Sequence, residues 1–377
     1  ALQIGVGGGC PAVQVLILSG AHAREWGGPD ICINFAADLL KAYTGNSGLT
    51  YQGKSFSASE IGSIVKRLKV IVFPDLNPDG RNFSQTSYSM WRKNRNPASS
   101  TAGQPATIGV DVNRNYGFLW DFPTAFAPGA TAGGTLASTS PGSDIFHGTA
   151  PFSEPETRNV RWLFKLFPNI VRFVDIHSYG GDILHPWGDD ENQTSDSSKS
   201  FTNAAWNGQR GLIGDAYREY ITQADLSRLV ALGSSMRASI SAVRGENYSL
   251  AQSFFLPSWP GPSYPTSGCS DDWAFSRRYL STRAGTFAFT IEFNRIHSFF
   301  PTWTEMEPII REISAGLVQF SLDAVPRWRP WIWCVILQWF YKLWRRVWPW
   351  DLWGPYGPWE RPLVEDIRPV EKNTRPG

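Results

Sequence analysis

The sequence has few cysteines, no marked charge of either sign and no membrane-length apolar run. Only four cysteines (Cys10, Cys32, Cys269, Cys334) occur in 377 residues, none in a CxxC pair. A Cys-rich zinc site, a thioredoxin-type motif and a disulfide scaffold are therefore disfavoured. The formal net charge is +2, from 35 Lys and Arg against 33 Asp and Glu, so the total gives no reason to expect a nucleic-acid partner. The run Trp331 to Tyr341 is eleven residues long and interrupted only by Gln338, too short to span a bilayer. No signal peptide opens at Ala1 and no initiator Met is present, which reads as an upstream segment removed or not included.

What is present is a globular, loop-rich composition, 42% apolar and 18% charged with 35 Gly and 27 Pro. Tryptophan is unusually abundant, and nine of the 18 fall in the last 50 residues. Residues 326–377 hold nine Lys/Arg against five Asp/Glu, which leaves residues 1–325 with 26 cations against 28 acids. The shift near Pro326 predicts two parts, a catalytic domain over 1–325 and a Trp-rich basic extension over 326–377. Arg327, Arg329, Lys342, Arg345 and Arg346 flank the Trp-rich run. That pattern fits contact of residues 327–350 with a membrane surface. A flap packed on the chain's own domain and a non-native extension are the other readings.

Val15 to Leu18, Leu68 to Phe73, Val171 to Ile176 and Thr286 to Phe293 are short apolar runs of the kind found in strands covered on both faces. Helical patterns lie between them, over Ile31 to Tyr43 and Leu226 to Val243. Others open at capping-box spacings: Ser57 with Glu60, Ser153 with Glu156 and Thr304 with Glu307. Strands alternating with helices predict an α/β fold, a single domain on a central mixed, largely parallel sheet flanked by helices. Ala1 to Leu18 reads as a hairpin turning at Gly7-Gly8-Gly9. Pro97 to Pro105, Ala127 to Ser143 and Asp189 to Ser200 read as surface loops.

Such sheets place ligands beyond the carboxyl ends of their strands, and chemistry-bearing residues collect there. His22-Ala23-Arg24-Glu25 follows the first run, His177 follows Val171 to Ile176, and Glu292 lies near the end of the last. Two His and one Glu make the ligand set of an open catalytic zinc site, although His22-x-x-Glu25 alone is more readily a capping or surface pair. An ionised Glu292 in so apolar a strand is costly unless it is paired or functional. Its two readings are a salt bridge and a general base. Trp91-Arg92-Lys93-Asn94-Arg95 and Asp111-Val112-Asn113-Arg114-Asn115 set guanidinium groups beside amides, a chemistry suited to carboxylates and oxyanions. His147, His185 and His297 lack such context and read as ordinary loop or surface residues.

In order along 1–325, these segments resemble the zinc metallocarboxypeptidase family of carboxypeptidases A, B and T. The likeness is carried by Gly20-Ala21-His22-Ala23-Arg24-Glu25-Trp26, Asn77-Pro78-Asp79-Gly80, the two Arg/Asn clusters, Phe152-Ser153-Glu154-Pro155-Glu156-Thr157, Asp175-Ile176-His177-Ser178-Tyr179, Asp272-Trp273 and Thr290-Ile291-Glu292-Phe293. The resemblance implies one Zn2+ on His22, Glu25 and His177, with Asp111 fixing the tautomer of the first histidine. It implies Glu292 as general base and Arg95 as the group that polarises the scissile carbonyl. It further implies Asn113 and Arg114 on the substrate's terminal carboxylate, Tyr264 closing over it, and Arg24 and Arg92 at outer binding positions. The resemblance also implies that Asp271 falls at the floor of the pocket for the terminal side chain, where an acid in the family goes with a preference for Lys or Arg.

The implied activity is removal of C-terminal residues from peptides or proteins by a secreted enzyme, with no nucleic-acid partner. The same zinc site on peptidoglycan stem peptides, or an inactive binding module with this fold, are the alternatives. Family domains begin with a helix and a further strand before the segment matching Ala1. The resemblance therefore implies an N-terminally incomplete domain with an apolar face and a sheet edge uncovered. It gives no counterpart for Ala125–Ile145, Leu280–Gly285 or residues 326–377.

Overall fold

The computed structural model describes residues 1–6, 13–132, 134–257, 264–280, 285–295 and 298–326. The Trp-rich extension and its membrane reading, the Gly7-Gly8-Gly9 turn, most of Leu280–Gly285 and His297 lie outside the described residues.

Eleven strands occur among the described residues: β1 (Leu2–Ile4), β2 (Val13–Ser19), β3 (Leu49–Tyr51), β4 (Lys54–Phe56), β5 (Leu68–Phe73), β6 (Ile170–Ser178), β7 (Asp182–His185), β8 (Asn192–Gln193), β9 (Glu219–Tyr220), β10 (Ser249–Gln252) and β11 (Phe287–Phe293). The helices are α1 (Gly28–Thr44), α2 (Ala58–Arg67), α3 (Pro78–Thr86), α4 (Phe122–Ala125), α5 (Pro128–Ala132), α6 (Pro155–Leu166), α7 (Gln223–Arg244), α8 (Ser270–Leu280) and α9 (Trp303–Leu322). Seven strands form one mixed sheet in the order β1-β5-β2-β6-β11-β7-β10. Its four central members, β5, β2, β6 and β11, run parallel. β1 and β7 are antiparallel to their inner neighbours. Parallel strands need long crossovers, and these are supplied by the helices between them.

The predicted runs are strands because both faces are covered. Leu16, Ile17, Phe173, Val174, Ala288 and Phe289 are all fully buried. Alternation along a strand sends neighbours to opposite faces. Phe173 meets Phe164 of α6, whereas Phe289, on the face of Val174, meets Phe320 of α9. Helices α1, α2, α7 and α9 pack together on the α9 side, and α6 and α8 lie on the other. The odd positions of β6, Phe173, Asp175 and His177, therefore share the α6/α8 face, and the Ser270 hydroxyl of α8 donates to Asp175 at 2.6 Å.

Several local expectations are corrected. The N-terminal segment is no hairpin: β1 pairs antiparallel with β5, which lies between β1 and β2. The Ser57–Glu60 capping box forms as read. At α9 the box is Thr302–Glu305, two residues before the Thr304–Glu307 spacing. At α6 the N-cap is Glu154 rather than Ser153, and the Asn115 side chain accepts from Glu154 N and the Thr157 hydroxyl in place of a cap. Residues 127–143 are more than surface loop, since Ala130, Leu136 and Ala137 join Phe122 and Phe126 in a small second core. Asp189 and Asp190 are fully buried, as are, nearly so, His147 against Trp120 and His185 in β7.

Gly268 marks a close approach on which the cleft depends. Its φ is +66°, and a Cβ there would sit 2.3 Å from the Arg114 carbonyl oxygen. Left-handed backbone and steric conflict both oppose a side chain. Gly268→Ala is expected to lower stability by roughly 1–3 kcal/mol in urea unfolding. An unchanged midpoint would show that the two segments are not in contact as described.

Candidate metal centre and active-site cleft

At the carboxyl end of β2 the chain turns sharply through Gly20, whose φ is +75° and whose Cβ would meet Asp75 Oδ1 at 2.7 Å. The turn delivers His22 and Glu25 above the sheet edge. Asn77 fastens it: the side chain donates to the carbonyls of Ala21 (3.1 Å) and Lys93 (3.2 Å) while accepting from Gly80 N (3.0 Å) at the start of α3. Ala23 N donates to Arg92 O at 3.0 Å, so the first Arg/Asn cluster is tied to the same turn.

β6 brings His177 to this point, and the parallel register sets Glu292 of β11 directly beside it. His22 Nδ1 lies 2.6 Å from Glu25 Oε1, His177 Nδ1 lies 3.0 Å from Glu25 Oε2, and the two Nδ1 atoms are 3.1 Å apart. Each imidazole turns its other nitrogen toward a carboxylate. His22 Nε2 is 3.2 Å from Asp111 Oδ1, and His177 Nε2 is 3.1 Å from Asp175 Oδ2. In the tautomer protonated at Nε2, each ring offers its Nδ1 lone pair toward Glu25, and three acceptors then converge. Such a donor set suits a divalent cation of the zinc type, and acids behind the histidines are how metal-ligating rings are held. Among the described residues it is the one group of three or more His, Cys, Asp or Glu able to hold a metal.

The charges around this point are strongly coupled. Burial alone would raise the Asp111 carboxyl, but Arg92 and His22 outweigh it and hold the group well below the carboxylate range. Arg92 donates to Asp111 Oδ2 from Nε at 3.0 Å and lies 2.9 Å from it through Nη2. Asp111 thus bridges the arginine and the histidine. Burial pushes the Glu292 carboxyl up to about 8, with His177 opposing and Glu25 and Asp182 reinforcing the shift. A carboxyl so placed is poised to exchange a proton near neutrality.

A cleft of about 620 Å3 opens over these groups, lined by His22, Arg24, Glu25, Arg92, Asn113, Arg114, Tyr264, Asp271 and Glu292 among others. Arg114 is preorganised: Nε donates to Leu136 O at 2.7 Å and Nη1 to Asn113 O at 2.8 Å. Asn113 Oδ1 accepts from Ser270 N at 2.9 Å. Arg24 stacks over Phe299 and reaches Asp144 at the rim, 3.3 Å away. Asp271 accepts from the Ser253 hydroxyl at 3.1 Å, and burial raises its carboxyl above the ordinary value.

Arg95 is the exception. Its guanidinium packs 3.8 Å from the centre of the Phe83 ring and 4.7 Å from that of Trp91, away from the residues lining the cleft. Of the two, Arg92 lines the cleft together with His22 and Glu25. Spacing within Trp91-Arg92-Lys93-Asn94-Arg95 cannot tell the two apart, because that segment has no regular periodicity. Asp175 and Ser270 also escaped the sequence reading. Asp175 had a usable signal, since two residues before His177 on a strand lies the same face.

Residues 9–315 match the zinc carboxypeptidase family. Carboxypeptidase B of Astacus astacus is 30% identical over 274 residues, which cover 72% of this chain and 69% of that relative. Carboxypeptidase A2 of Mus musculus is 33% identical over 187 residues, 50% of this chain and 38% of that relative. The fold is shared with bovine thrombin-activatable fibrinolysis inhibitor, solved in complex with tick carboxypeptidase inhibitor. That match has a TM-score of 0.58 at 21% identity and covers 83% of this chain and 82% of the other. Convergent donors, the parallel strand register and a family match over most of the sequence agree, and the chain belongs to the zinc carboxypeptidase family, a family of metallocarboxypeptidase hydrolases.

Proposed function

We propose that residues 1–325 are the catalytic unit of a secreted exopeptidase that hydrolyses the last peptide bond of peptides or proteins, releasing Lys or Arg. The observation that carries this reading is that His22, Glu25, Asn113, Arg114, Asp271 and Glu292 line one cleft, with His177 beside the first two. A Zn2+ ion held by His22, Glu25 and His177 would supply Lewis-acid activation of water and of the carbonyl.

The chain's own residues do the rest. Glu292 takes the proton of the attacking water and passes it to the leaving amine. Arg92 steadies the oxyanion that develops on the scissile carbonyl. Its pairing with Asp111 keeps the guanidinium aimed, and Asp111 holds the His22 ring in the tautomer that offers Nδ1. Asn113 and Arg114 grip the terminal carboxylate, which selects a free C-terminus, and Tyr264 closes over it. Arg24 receives the residue on the other side of the bond. Asp271 is a buried acid reachable from the cleft, held by the Ser253 hydroxyl, and a cationic side chain entering there would give it a charged partner.

Glu292→Gln is expected to lower kcat by about 10²–10⁴-fold while metal analysis still finds one zinc per chain. Wild-type turnover in that variant would remove Glu292 from the chemistry. Arg92→Ala is expected to cost on the order of 10²-fold or more in kcat, and Arg95→Ala far less. The reverse order would return the oxyanion role to Arg95. Asp271→Leu is expected to shift kcat/KM from peptides ending in Arg toward those ending in Leu by on the order of 10²-fold. An unchanged ratio would contradict the basic preference.

A further inference from the structure

The motif Phe152-Ser153-Glu154-Pro155-Glu156-Thr157 takes no part in the proposed reaction, yet it sets two acids against the loop that carries Arg92. Glu154 is 1% exposed and Asn94 is wholly buried. Oε2 of Glu154 accepts from Asn94 Nδ2 and from Asn96 Nδ2, both at 2.8 Å, and Oε1 accepts from the Ser153 hydroxyl at 2.7 Å. All three donors are neutral. A buried carboxylate is costly unless hydrogen bonds replace its water, so the acid and the two amides hold one another in place.

Asn94 passes this hold to a second segment. Its Nδ2 also donates to Glu156 Oε2 at 2.9 Å, and its Oδ1 accepts from Val110 N at 2.8 Å. Its backbone N donates to Val110 O at 3.0 Å, and Gly109 N donates to Asn96 O at 3.0 Å. Residues 94–96 and 109–110 are thereby tied side by side. Arg92 lies two residues before Asn94, and Asp111 follows Val110. The tied segments thus set how the arginine meets the acid that aims it, at 3.0 Å through Nε and 2.9 Å through Nη2.

We propose that Glu154 is a positioning residue for Arg92: by gripping Asn94 and Asn96 it fixes the segments that present the guanidinium to the scissile carbonyl. This role depends on Arg92 being the group that steadies the oxyanion. Glu154 is a suitable anchor because of the element it caps. Val160, Leu163 and Phe164 of α6 are buried, and Phe164 meets Phe173 of β6, the strand that also carries His177. One strand is therefore the common reference for a metal ligand and, through α6 and Glu154, for the arginine. Glu156 bonds Asn94, whereas Glu154 joins both asparagines.

A displaced Arg92 leaves Asn113 and Arg114 free to hold the substrate's carboxylate and weakens only the contact with the developing oxyanion. Loss of a contact made only in the transition state lowers kcat and kcat/KM together and leaves KM in place.

The test is steady-state kinetics of the zinc-loaded full chain with Glu154→Ala, Arg92→Ala and the double variant. Glu154→Ala is expected to lower kcat by on the order of 10²-fold, with KM little changed. Glu154→Gln should restore nearly wild-type kcat, since its amide oxygen can accept from both asparagines while its nitrogen faces the Ser153 hydroxyl. Beside Arg92→Ala, Glu154→Ala should cost almost nothing further, because the group it positions is gone. Calorimetry supplies a readout apart from turnover. Glu154→Ala should bind a peptide phosphonate with a tetrahedral oxyanion at the scissile position on the order of 10²-fold more weakly, and free arginine as the wild type does. If Glu154→Ala does not fold, Asn96→Ala removes the half-buried end of the same contact, and its smaller loss should likewise vanish beside Arg92→Ala.

Equal losses in the two backgrounds, a raised KM with kcat unchanged, unaltered phosphonate affinity, or Glu154→Gln as impaired as Glu154→Ala would overturn the positioning role and leave the reaction standing. No loss in Arg92→Ala itself would remove Arg92 from the chemistry, and the role of Glu154 with it.

Discussion

The pairing of β6 with β11 is the constraint on which the cleft depends. These two strands are the innermost pair of the α8 face, and their parallel register aligns His177 with Glu292 and Asp175 with Thr290. A slip of one residue would send every one of those side chains to the face covered by α9. The register is held by apolar residues on both sides, Phe173 and Ala288 facing α6 and α8, Val174 and Phe289 facing α9. The chemistry is thus placed by the packing of residues that take no part in it.

Burial of charge is the second theme. His22, Glu25, Asp111, Asp175 and His177 are nearly inaccessible, a costly arrangement for isolated ions. Here each carboxylate meets an imidazole or guanidinium, and the acceptors left over converge on a point that suits a cation. Arg92 and Asp111 form the hinge of that network, since removing either would leave the other charged and buried without its partner.

The strands were legible because both-face burial writes a continuous apolar run, as in Leu68–Phe73. The start of α2 was legible from the Ser57–Glu60 capping box, whereas at α9 the Thr304–Glu307 spacing lay two residues past the box that forms. Short elements such as β7 and the edge strand β10 were not, because four residues carry too little pattern. The antiparallel pairing of β1 with β5 was hidden because three residues do not name their partner. Of the site residues, those at strand ends stood out by position. Arg92 and Arg95 could not be ranked from sequence, because only packing reveals that Arg95 is taken up by Phe83 and Trp91. The acids at 189 and 190 were misread as surface, since a polar loop sequence carries no sign of what folds over it.

The most direct test of the central claim is X-ray absorption at the zinc edge on protein loaded with one equivalent of Zn2+. Two imidazole nitrogens and carboxylate oxygen in the coordination shell, with one nitrogen lost in His177→Ala, is the result expected for ligands drawn together by β2 and β6. Sulfur ligation, or a spectrum unchanged by that substitution, would place the metal elsewhere and contradict the account.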